Sequence, residues 1–137
     1  MKKGRLLNSE LISTMVKMGH TDQITIADAG LPIPDYVKRI DLAVKKGLPS
    51  FLDVVEAVAS EMVIEKVILA EEILKENPSV YEEIKQIFAK IKIDFVSHEN
   101  FKKLTGESKA VVRTGECTPF ANIILQSGVD FEGDAHE

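Results

Sequence analysis

The chain has 137 residues, 45% of them hydrophobic and 28% charged, with a formal net charge of -5. A chain of that size buries roughly two-thirds of the surface it exposes when unfolded, so a single domain is expected over residues 1–131 without staples. The acidic balance excludes a sequence-independent grip on nucleic acid, which needs clustered Lys and Arg against phosphates. No apolar run reaches membrane length. The one cysteine, Cys117, excludes an intrachain disulfide.

Asn8 reads as the N-cap of a first helix that carries Leu11, Ile12, Met15 and Val16 on one stripe and stops at Gly19. His20 then falls just past the helix end. Residues 23–27 form a β-branched run that delivers Asp28 into a Gly-Leu-Pro-Ile-Pro loop. A second strand is expected over 39–44. Ser50 with Asp53 three residues on resembles a capping box opening a helix through Val54, Val55 and Val58. Residues 65–70 read as a strand, and Asn77 with Pro78 starts a helix bearing Val80, Ile84, Ile87, Phe88 and Ile91. A strand over 93–97 ends at His98, a short helix spans 99–104, a strand spans 110–114, and a last apolar element covers 122–126. Strands alternating with helices predict an α/β domain of three layers, α/β/α, around a mostly parallel or mixed sheet. The tail over 132–137 is expected to be unstructured and to carry no chemistry.

Open α/β sheets present ligands at the carboxyl ends of their strands, which singles out Asp28, His98 and the Glu116-Cys117-Thr118-Pro119 segment. His20, eight residues before Asp28, supplies a group that titrates near neutrality. His20 and Asp28 thus make a candidate acid-base pair, with His98 a second hydrogen-bonding group. The bland alternatives are a histidine favoured by a helix C-terminus and an aspartate that caps a turn. Two histidines and an aspartate could also hold a metal, but neither His-x-x-x-His nor Cys-x-x-Cys spacing occurs, so no metal is expected. A lone Cys117 reads as a small buried apolar residue, and no glycine-rich phosphate cradle is present.

Several strings together resemble the ribose pyranase and fucose mutarotase family. They are Met1-Lys2-Lys3-Gly4 with Leu7-Asn8, Gly19-His20-Thr21-Asp22, Asp28-Ala29-Gly30-Leu31-Pro32-Ile33-Pro34, Arg39-Ile40-Asp41-Leu42-Ala43, and the run from Arg113 to Leu125. Pro49-Ser50-Phe51, Glu61-Met62 and Ala70-Glu71-Glu72 match between them, so the resemblance runs from Met1 to about Phe131, nearer to its ribose branch. It implies an enzyme that interconverts the pyranose and furanose forms of free D-ribose without a cofactor. Carried over by position, His20 is the acid-base residue, and Asp28, His98, Phe120, Ala121 and Asn122 contact the sugar. The resemblance also implies a homo-oligomer, a decamer of two pentameric rings, with sites at subunit interfaces completed by a neighbour's C-terminal segment. The family usually has tyrosine where this chain has Phe120.

Opening an aldose ring requires removal of the anomeric hydroxyl proton and protonation of the ring oxygen, transfers that suit a histidine near neutrality. The expected location is the cytoplasm, with no nucleic-acid or membrane partner. Alternatives are an L-fucose mutarotase, a non-catalytic sugar-binding accessory of ribose uptake, and metal-assisted hydrolysis.

Overall fold

The computed structural model describes residues 1–131; the expected tail over 132–137 lies outside them. Among the described residues the elements run α1 (Ser9–Lys17), β1 (Gln23–Ala27), β2 (Arg39–Asp41), α2 (Phe51–Ala59), β3 (Ile64–Ala70), α3 (Ile73–Glu76), α4 (Pro78–Ile87), β4 (Lys92–Val96), α5 (His98–Leu104), β5 (Val111–Arg113) and β6 (Ile123–Ser127). A 3-10 turn at Thr105–Glu107 follows α5. The strands form one sheet in the order β2-β5-β1-β6-β3-β4. Every pairing is parallel except those of β6, which runs antiparallel between β1 and β3.

Alternation of side chains along the strands divides the core between the two faces of the sheet. Ile24 and Ile26 of β1, Val67 and Leu69 of β3, and Ile123 and Leu125 of β6 face one way. There they meet Leu11, Phe51, Val55 and Ile84 from α1, α2 and α4. Ala27, Ile68, Val111 and Ile124 face the other way, onto a thinner layer made by Leu31, Val37 and Phe101. The three layers expected from the sequence are therefore present, but of unequal depth.

Local signals explain most boundaries. Asn8 Oδ1 accepts the Leu11 N–H at 2.9 Å, Ser50 Oγ accepts the Asp53 N–H at 3.1 Å, and Ser97 Oγ accepts the Asn100 N–H at 3.2 Å, each capping its helix. The second strand stops at Asp41 rather than 44, because Asp41 Oδ1 takes the Ala43 N–H at 3.0 Å and turns the chain. The chain after β3 makes the extra turn α3, which periodicity did not suggest. Asn77 precedes Pro78 as expected but does not cap α4 with its side chain. Its amide instead donates to Thr118 Oγ1 and the Pro119 carbonyl at 3.0 and 2.9 Å. Cys117 is exposed, contrary to the apolar reading, because its segment curves over the strand ends instead of entering the core.

Candidate functional site

The parallel strands all end at one edge of the sheet, where β6 begins. Asp28 leaves β1 there beside Asn122, which leads into β6. The Asp28 N–H donates to Asn122 Oδ1 at 2.8 Å, and Asn122 Nδ2 donates back to Asp28 Oδ2 at 3.3 Å. Asp28 Oδ1 accepts the Gly30 N–H at 2.9 Å. The loop is fixed further by Ala29, whose N–H donates to the Glu116 carbonyl at 2.8 Å and whose own carbonyl accepts from Arg113 Nε at 3.1 Å.

His98 opens α5 just past β4. Its backbone N–H is shared between the two carboxylate oxygens of Glu72, at 3.0 and 3.1 Å, so a charge beyond β3 anchors the start of that helix. The imidazole stands edge-on to the Phe120 ring, centroids 5.0 Å apart and planes at 82°. Phe120 sits at φ 55°, a left-handed conformation that costs a bulky residue of order 1–3 kcal/mol. The segment preceding it is tied down on both sides. Glu116 Oε1 accepts the first N–H of α2, from Phe51, at 3.0 Å, and Glu116 Oε2 accepts from the Thr118 hydroxyl at 2.8 Å.

Asp28, Gly30, Leu31, His98, Pro119 and Phe120 thereby enclose a cleft of about 280 Å3. A second hollow of about 370 Å3, beside Glu116 and Thr118, shares Asp28 and Gly30 with it. His98 Nδ1 is buried without a protein partner in the wall of the cleft. The cleft thus combines an apolar ring face, an anchored carboxylate and an imidazole, a set that suits a small polyhydroxyl compound with an apolar carbon skeleton.

Burial is the main influence on the Asp28 carboxyl and raises its pKa from the ordinary aspartate value. Hydrogen bonds from Gly30, Leu31 and Asn122 and the nearby His98 charge act in the opposite direction and do not cancel it. The folded protein therefore keeps this proton to a higher pH than the unfolded chain does. Between the two values the folded state binds more protons, so stability falls as pH rises through that window and stays lower above it. Asp28→Asn is expected to remove this falling component. The urea midpoint of Asp28→Asn relative to that of the wild type, measured from about pH 3 to pH 7, should rise with pH. Curves that stay parallel would refute the assignment.

The sequence-predicted residues divide into two groups. Asp28, His98, Phe120 and Asn122 come together in one chain. The Ala121 side chain is buried in the larger core layer, so that residue can face the cleft only through its backbone. Asn122 is also fully buried, its amide committed to Asp28.

His20 does not join them. It precedes β1 while Asp28 follows it, and five extended residues hold the ends about 16 Å apart. The expected pairing of His20 with Asp28 within one chain is thus corrected. Phe120 and Asn122 stand against His98 and Asp28 of their own chain. His20 Nε2 instead lies 2.6 Å from Glu65 Oε1, with more than half of the imidazole exposed. Glu72, Asn77 and Glu65 were missed in the sequence, although Glu72 follows a strand just as Asp28 does. Among the described residues no three His, Cys, Asp or Glu side chains gather as metal ligands, and no helix is long and apolar enough to cross a membrane.

Comparison with known proteins matches the same framework. The D-ribose pyranase of Geobacillus thermodenitrificans (strain NG80-2) is 56% identical over 131 residues, covering 96% of this chain and 99% of that one. That of Bacillus cereus (strain ATCC 10987 / NRS 248) is also 56% identical over 131 residues, covering 96% and 100%. The structure of Bacillus subtilis RbsD complexed with D-ribose superposes with a TM-score of 0.93 at 52% identity, covering 96% of this chain and all of that one. A fucose mutarotase from Streptococcus pneumoniae, in complex with L-fucose, has the same fold with a TM-score of 0.78 at 24% identity, over 90% and 94% of the two chains. Residues 1–130 match the model of the RbsD / FucU transport protein family, and the chain belongs to that family.

Proposed function

We propose that this protein is a D-ribose pyranase, an isomerase that opens the ring of free D-ribose and recloses it in the other size. The observation that carries this reading is the cleft formed by Asp28, His98 and Phe120, in a chain 52% identical to one whose structure contains D-ribose. Saturation-transfer NMR between the pyranose and furanose resonances of D-ribose tests it. Acceleration of that exchange is expected, with a much smaller effect on L-fucose; no acceleration would overturn the reading.

The chemistry balances without an added reagent. The anomeric hydroxyl loses its proton, the bond from C1 to the ring oxygen breaks, C1 becomes an aldehyde, and the ring oxygen takes up a proton. Reclosure through the other hydroxyl reverses those transfers. Asp28 and His98 hold sugar hydroxyls, Phe120 covers the carbon skeleton, and His20 carries the proton. Because His20 stands at the far end of β1 from its own Asp28, it serves the cleft of a neighbouring subunit. A ring assembly, a decamer of two pentamers, supplies that neighbour, and exposed Tyr36 and Val44 offer apolar surface for such contacts. The unit that assembles is the domain over residues 1–131. The cytoplasm, where an exposed thiol such as Cys117 stays reduced, is its location.

Phe120 lacks the hydroxyl usual in the family. Phe120→Tyr is expected to raise the exchange rate by roughly threefold to tenfold, the effect of one restored hydrogen bond of about 1 kcal/mol. Rates from the same NMR measurement check this, and an unchanged or reduced rate would show that the hydroxyl has no partner here.

A further inference from the structure

His20 leaves α1 in a turn that is unusually constrained. Thr21 holds a left-handed φ of 71° despite its branched side chain. The Thr21 N–H donates to the Ser127 carbonyl at 2.9 Å, the Ser127 N–H returns to the Asp22 carbonyl at 2.8 Å, and Asp22 Oδ2 accepts the Gly19 N–H at 2.9 Å. The turn is thus clamped to the end of β6, and the imidazole has little freedom beyond its own rotamers.

The partner of that imidazole sits at an irregularity in the sheet. Ile64 pairs with Ser127 and Lys66 with Gln126, so β3 advances two residues while β6 advances one, and Glu65 is the extra residue. Such a bulge re-aims a side chain. Here it brings Glu65 Oε1 to 2.6 Å from His20 Nε2 and Oε2 to 2.7 Å from Gln126 Nε2. Gln126 Oε1 in turn accepts from Gln23 Nε2 at 3.0 Å, so three adjacent strands, β3, β6 and β1, support one imidazole.

Resting on the reading of His20 as the proton carrier, we propose that Glu65 is its positioning residue, accepting the Nε2 proton so that neutral His20 presents Nδ1 to the sugar. A carboxylate performs this role best when it stays charged. Hydrogen bonds from Gln126 and then His20 hold Glu65 below the usual carboxylate range, and the neighbouring Lys66 charge adds to that. The other charges nearby are matched already, Lys66 with Asp94 at 3.6 Å and Asp22 with Lys109 at 3.9 Å. A single imidazole can then take the anomeric proton on Nδ1 and return it to the ring oxygen, while its second nitrogen stays bound to the protein. Orientation also brings an entropic advantage: a free imidazole would sample several rotamers, of which few face the neighbouring cleft.

The test uses the intact assembly of Glu65→Ala and Glu65→Gln with 15N-labelled histidine. Glu65→Ala is expected to lower the maximal exchange rate about tenfold with D-ribose affinity within about twofold of the wild type. It should also lose the downfield, exchange-protected His20 Nε2 proton resonance. Glu65→Gln keeps an acceptor, so it should retain that resonance and lose no more than about threefold in rate. A wild-type rate in Glu65→Ala, or a rate loss with the resonance intact, overturns the proposal. His20→Ala separates the two readings: its inactivity beside a fully active Glu65→Ala defeats the role of Glu65 alone, whereas an active His20→Ala defeats the reading of His20 itself.

Discussion

His20→Ala is expected to lower the rate of D-ribose ring exchange by a factor of roughly 10² to 10⁴, the range removed with one positioned acid-base group. Sugar affinity should change little, because the groups that line the cleft lie at the other end of β1. The distance that corrects the pairing of His20 with Asp28 makes a sharper prediction. If each site takes His20 from one subunit and Asp28 from the next, assemblies formed from equal amounts of His20→Ala and Asp28→Asn contain intact sites. Random mixing gives about one intact site in four, and therefore about a quarter of the wild-type rate from two inactive parents. Unfolding and refolding the two variants together, then measuring exchange by NMR, checks this. An inactive mixture would overturn the division of the site between two subunits.

Phe101→Ala is expected to have the largest effect on stability. Phe101 is fully buried and is the buried residue of α5. The layer it anchors is the thinner of the two, with Leu31 and Val37 among the few side chains that could move to fill the gap. Truncating a buried Phe costs about 3–5 kcal/mol, a large share of the roughly 5–15 kcal/mol that holds a domain together. For a chain of this size that corresponds to a fall in melting temperature of about 10–15 °C. His98 lies on the same helix, so ribose binding should weaken at temperatures where the protein is still folded. Exposed Lys103 on that helix provides the control, and Lys103→Ala should change neither property. Thermal unfolding and titration of the sugar measure both. A Phe101→Ala protein with wild-type melting would mean that the helix is held by something other than this contact.

Much of the fold was legible because local chemistry and tertiary packing agree. Asn8 and Ser50 cap the helices their positions predict, and β-branched runs became strands. The strand-end rule placed Asp28 and His98 at the same edge of the sheet, since it depends only on strand direction. Spacing misled at His20, where a separation of eight residues looked short although most of it is extended chain. Asn77 shows a second limit: it marks the start of the helix as expected, yet its side chain ties down the distant segment before Phe120, a role its position gives no sign of. Glu65 could not be found from periodicity, because a bulge is a property of two strands and shows only once their register is known. Cys117 was misread for a related reason, since an apolar residue type says little about a segment that arches over strand ends.

The antiparallel β6 has a consequence for how the molecule comes into being. Without it the sheet is two disconnected parallel pieces, β2-β5-β1 on one side and β3-β4 on the other, and β6 is what stitches them together. On a translating ribosome both pieces must wait, half built and with apolar edges open, until β6, which follows the other five strands in chain order, has emerged. The cleft needs Phe120, and Asn122 to hold Asp28, so a chain interrupted before those residues has no complete cleft.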